Sequence, residues 1–137
     1  MLATALIAAS AGIVLALGAI HLVYTFRGPL LTPRDAALRE AMSKVSPVLT
    51  RQTTMWKAWV GFNASHSMGA ILFGLVYGYL ALAHADLLFT SAFLLAVGFA
   101  MLAGFAVLGR LYWFSVPFWS VCVALACYAG AILAAHG

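Results

Sequence analysis

Charge is scarce in this sequence: only 7% of its 137 residues are Asp, Glu, Lys or Arg. A soluble globular domain carries about 25%, so a fold surrounded by water on all sides is excluded. Acids are rarer still. Asp35, Glu40 and Asp86 are the only three, and all lie outside the apolar stretches. A proton relay, an ion pathway or a carboxylate acid/base pair inside a membrane needs such a group, and so does a Ser-His-Asp set. Catalysis is therefore poorly supported. There are only two cysteines, Cys122 and Cys127. Five residues apart on a helix, they project about 140° from one another, so they are expected as small apolar packers rather than a disulfide. No Lys or Arg precedes the first apolar run, and that run exceeds an h-region of about 7–15 residues, so a cleavable signal peptide is not expected.

Apolar residues are what the chain has: 66% of it, with a mean hydropathy of +1.08. They fall into four long runs. A hydrocarbon core of about 30 Å needs about 20 helical residues to cross it, and backbone in lipid must satisfy its own hydrogen bonds. The sequence thus predicts an all-α membrane protein. The expected form is a four-transmembrane-helix bundle over residues 2–26, 56–83, 87–109 and 115–135, within a single domain of residues 1–137. Asp86 is expected to cap the third helix, and Ser115 with Pro117 to open the fourth.

The cations give an orientation. Arg27, Arg34, Arg39, Lys44, Arg51 and Lys57 lie between the first two runs, and Arg110 lies between the last two. All fall on one side if both termini point outward. The positive-inside tendency then predicts a multi-pass protein of the inner (plasma) membrane, with the first loop cytoplasmic. A cluster beside spans is a juxtamembrane pattern rather than a nucleic-acid patch. Within that loop, "LTPRDAALREAMSKVSP" predicts a short amphipathic helix at about residues 33–45. Thr32 is the expected cap, Pro33 the first helical residue, and Asp35–Arg39 and Glu40–Lys44 are i,i+4 pairs.

The second run carries "WKAWVGFNASHSMGA", which is polar where lipid is expected. On a helical wheel Asn63, Ser67, Ala70, Gly74 and Gly78 share one stripe. Trp59, His66, Phe73 and Tyr77 run beside it, and Gly61, Ser65 and Gly69 form a third row. Small residues let helices approach closely in lipid. Gly61, Ser65, Gly69, Gly74 and Gly78 are therefore expected packing positions, and Ala96, Ala100 and Gly104 a matching row on the third helix. His21 lies six residues before Arg27 and His66 nine after Lys57. Helical rise puts both in the inner half of the membrane, about 9 and 13 Å deep.

Three roles for these histidines stay open. They are hydrogen-bonded packers. Alternatively, His21, Tyr24, Trp59, Asn63, His66 and Ser67 line a pocket for a lipid- or quinone-like molecule. Or His21 and His66 ligate a b-type haem. Two histidines are too few for a closed zinc site. These patterns do not fix helix rotation, so whether the two rings face each other is left open. His84, Asp86 and His136 share the outer face as solvated turn residues, with a weak metal site conceivable.

"GAIHL" and "GFNASHSMGAILFG" resemble pieces of small bacterial inner-membrane proteins with four helices, and the chain is similar in size and helix count to the DoxX-like group. That resemblance implies an architecture and carries no catalytic residue. A compact membrane core is also similar to isomerases of the emopamil-binding type, which implies intramembrane carboxylates that this sequence lacks. Two functions are expected from the residues. The first is an interaction or accessory protein that associates through small-residue helix faces, as a homo-oligomer or within a larger membrane complex. The other is a membrane-embedded binder of a hydrophobic ligand or cofactor (lipid, quinone or haem) at His21 and His66.

Overall fold

The computed structural model describes residues 1–137 and is all-helical, with 82% of the chain in helix and no strand. In chain order the elements are α1 (Leu2–Phe26), α2 (Ala36–Lys44), α3 (Met55–Ala83), α4 (Ala85–Thr90), α5 (Ala92–Tyr112) and α6 (Ser115–His136). Of these, α1, α3, α5 and α6 are long and apolar enough to cross a membrane.

Two helix starts differ from expectation, and side-chain caps explain both. The third span begins at Ala92 rather than near residue 87. Ser91 adopts an extended conformation and its hydroxyl accepts the Leu94 amide at 3.3 Å. That cap starts α5 afresh and leaves the Asp86 segment as the separate six-residue α4. The loop helix begins at Ala36 rather than Pro33. Asp35, also extended, accepts the Ala37 amide at 2.8 Å and is therefore the cap. The Thr32 hydroxyl donates to the Pro29 carbonyl at 2.7 Å instead. With Asp35 so engaged, Arg39 does not pair with it. The Arg39 guanidinium lies 3.4 Å above the Trp56 ring and contacts Ser43, while Glu40 and Lys44 form the ion pair.

The chain divides into two compact units. One comprises Met1–Leu17 and Ala70–Gly137, the other Gly18–Gly69. The core of the first includes Ile7, Val14, Leu88, Leu102 and Tyr128, all essentially inaccessible. Here α5 and α6 pack antiparallel, with Gly98 against Tyr128 and Gly109 against Phe118. The Tyr77 hydroxyl donates to the Leu94 carbonyl at 2.8 Å and the Tyr128 hydroxyl to the Leu95 carbonyl at 3.3 Å, so both phenols bury their polar ends on the first turn of α5. Gly74 lets α3 approach α1: a Cβ there would lie 2.6 Å from Leu15 Cβ and 2.8 Å from the Ala11 carbonyl. Gly78 has Ala11 at an ordinary 3.7 Å. The expected row Ala96, Ala100 and Gly104 is exposed; α5 buries Leu95, Gly98, Leu102 and Gly109 instead. Room for two tyrosine rings, rather than a run of small residues, selects the buried face.

That packing is testable. Gly98→Ala adds a methyl group 2.7 Å from ring atoms of both Tyr77 and Tyr128, an overpacking expected to cost about 1–3 kcal/mol. Gly104→Ala meets no atom within 4 Å and is expected to hold or raise stability by up to about 1 kcal/mol. Thermal unfolding in mild detergent compares the two, and equal midpoints would contradict the description of this face.

Candidate functional site

The second unit builds its polar cluster from the last two turns of α1 and the first four of α3. On α3 the Asn63 carboxamide nitrogen donates to the Trp59 carbonyl at 2.8 Å, and the Ser67 hydroxyl donates to the Asn63 carbonyl at 2.9 Å. On α1 the Thr25 hydroxyl donates to the His21 carbonyl at 2.8 Å. Both hydroxyl protons thus return to their own helices. The Asn63 nitrogen is committed to Trp59, so its oxygen is the atom that faces His21 Nε2, 3.0 Å away. A carboxamide oxygen accepts only, so this network puts a proton on His21 Nε2.

His66 follows Asn63 by three residues and so lies beside it on α3. Its ring meets that of His21 edge to face, with centroids 5.5 Å apart and planes at 79°. Both histidines are half-buried, and Asn63 and Ser67 are buried. The rotation that the sequence left open therefore brings the rings together.

A cavity of about 120 Å³ adjoins this cluster, and Asn63 forms part of its wall. Tyr24, Thr25 and Phe26 supply one side; Trp56, Trp59 and Val60 supply another. Gly28, Leu31 and Thr32 close it from the segment after α1. Gly28 has φ +81°, a left-handed conformation that favours glycine, and it turns the chain back. The Trp59 indole then donates to the Leu31 carbonyl at 2.9 Å, which pins the returning segment to α3. A shallow apolar groove of about 360 Å³ shares Leu31, Thr32 and Trp59 with the cavity and continues over Leu30, Pro33 and Met42.

The six residues expected at a ligand site thus fall into two overlapping sets. His21, Asn63 and His66 form the polar cluster, with Ser67 bonded one turn further along α3. Tyr24, Trp59 and Asn63 line the cavity. Sequence reasoning did not find Thr25, Phe26, Gly28, Leu31, Thr32, Trp56 and Val60 as wall residues. The signal for the returning segment was the Gly28-Pro29 pair, a turn former directly after a span.

For the haem reading, His21 Nε2, a nitrogen that would ligate iron, is engaged with Asn63, and the two imidazole rings meet edge to face. No three metal-ligating side chains gather anywhere in the chain, and His84 bonds the Tyr79 hydroxyl at 3.1 Å. Of the expected packing row, Gly61 and Ser65 are exposed and Gly69 half-exposed; neither glycine has an atom within 4 Å of a notional Cβ. No protein-family model, curated protein or solved structure matches the chain.

A double-mutant cycle tests the cluster. His21→Phe and Asn63→Leu each remove one side of the 3.0 Å bond. Their coupling energy is expected at about 1 kcal/mol, typical of hydrogen bonds between membrane helices. Strict additivity of the two unfolding free energies would show that the bond contributes nothing.

Proposed function

We propose that this chain is a membrane-embedded binding protein for an amphiphilic small molecule. The polar head enters the cavity beside Asn63, and the apolar tail lies along the Leu30–Met42 side of the groove. One observation carries this: Asn63 belongs both to the His21–His66 cluster and to the wall of a cavity that shares Leu31, Thr32 and Trp59 with an apolar groove. A binding site is expected to combine mostly apolar lining with a few fixed polar groups, and the sequence supplies both here. Val60→Trp fills the cavity while keeping an apolar residue in its wall. Organic extraction and mass spectrometry of wild type purified in mild detergent is expected to recover an enriched amphiphile near one per chain, and Val60→Trp to have lost it. Identical extracts from the two proteins would rule this function out.

In this proposal the four spans form one bundle in the inner membrane, with both termini outside and α2 against the cytoplasmic surface. The six cations between Arg27 and Lys57 support that orientation. With Cys122 and Cys127 replaced by serine, Lys44→Cys is expected to resist a membrane-impermeant maleimide in intact cells and to react after lysis. Labelling in intact cells would reverse the topology.

A second role is favoured by a separate observation. Gly61–Ser65–Gly69 on α3 and Ala96–Ala100–Gly104 on α5 are small-residue rows largely uncovered within the chain. Such rows let helices of another copy approach closely, which supports a homo-oligomer or an accessory subunit. Native mass spectrometry is expected to find oligomers that Gly61→Leu or Gly104→Leu disperses. A wild type that is monomeric, with no protein co-purifying, would count against it.

A further inference from the structure

We propose that the head of the bound molecule is an uncharged, planar six-membered ring bearing carbonyl oxygens, as in a quinone. This rests on the binding function above and narrows it to a chemical class.

Size comes first. The cavity holds about 120 Å³, and a cavity of about 150 Å³ accommodates one benzene. One small ring is therefore the upper limit for what the cavity itself encloses; a sugar phosphate or a porphyrin exceeds it.

Charge comes second. None of the cavity or groove wall residues is charged. The Arg39 guanidinium lies over the Trp56 ring but does not line the cavity, so a phosphate or carboxylate there would leave water with no cation in the wall, at a cost. An anionic lipid headgroup is therefore disfavoured despite the basic loop.

Shape and hydrogen-bond polarity come third. Tyr24, Phe26, Trp56 and Trp59 give the cavity aromatic walls, which suit a flat ring. The Thr25 and Thr32 hydroxyls donate to their own backbone, so toward a ligand they present lone pairs. The donors on offer are the Tyr24 hydroxyl and the Trp56 indole N–H, neither of which makes a hydrogen bond within the chain, and the second N–H of the Asn63 carboxamide. Donors on the wall of an aromatic slot suit carbonyl acceptors on a ring. The groove beyond Trp59 is then the path for an isoprenoid or alkyl tail.

Isothermal titration calorimetry on the full-length protein in mild detergent, with three probes sharing a ten-carbon chain, separates the possibilities. The probes are decyl-benzoquinone, decanol and didecanoyl phosphatidylglycerol. Decyl-benzoquinone is expected to bind saturably, at one per chain, and more tightly than the other two. Tyr24→Phe is expected to weaken it roughly three- to tenfold, the loss of one hydrogen bond, with decanol unaffected. Tyr24 is 41% exposed, so this change leaves the fold intact. If decanol binds as tightly as the quinone, or Tyr24→Phe leaves quinone affinity unchanged, the ring assignment is wrong while amphiphile binding stands. If phosphatidylglycerol binds and the quinone does not, the head is anionic. If no probe saturates, the binding function falls with it.

Discussion

The Asn63 carboxamide is the joint on which the second unit depends. An amide in a membrane segment has no water to fall back on, so each of its polar ends needs a partner in the protein. One end returns to α3 through the Trp59 carbonyl, and this fixes which end is left for α1. The orientation of one side chain thereby makes His21 Nε2 a donor. It also makes one side chain common to the histidine cluster and to the wall of the cavity.

Small polar residues around it act differently from what their composition suggests. Thr25 and Ser67 look like glue between helices, yet each bonds a carbonyl one turn back on its own helix. The side-chain hydrogen bond between α1 and α3 here is the one from the imidazole to the amide, with the His21–His66 ring contact beside it. In the first unit, Tyr77 and Tyr128 do the comparable work, turning their hydroxyls onto α5 backbone while their rings fill the space that Gly98 leaves.

Four long apolar helices were legible from residue type, because crossing lipid demands length and hydropathy before anything else. The stripe of Asn63, Ser67, Ala70 and Gly74 was legible as well, and the structure buries all four. Helix starts were harder, since Ser91 and Asp35 compete as caps with Asp86 and Thr32, and only backbone geometry decides among them. Small-residue spacing was the weakest guide. Gly-xxx-Ser-xxx-Gly and Ala-xxx-Ala-xxx-Gly rows describe where a helix can be approached, not where its own chain approaches it. Gly98, buried beneath two tyrosines, belonged to no such row. The facing of His21 and His66 depended on helix rotation, which depth along the sequence does not encode.

The length of α3 has a consequence for where the cavity sits. At 29 residues and 1.5 Å per residue, this helix runs about 44 Å, well beyond a hydrocarbon layer of about 30 Å. At its Met55 end, Trp56, Lys57 and Trp59 are residue types suited to a headgroup zone. If α3 crosses the membrane in the orientation proposed above, a thinner bilayer would expose more of the Trp56–Trp59 wall and a thicker one would cover it.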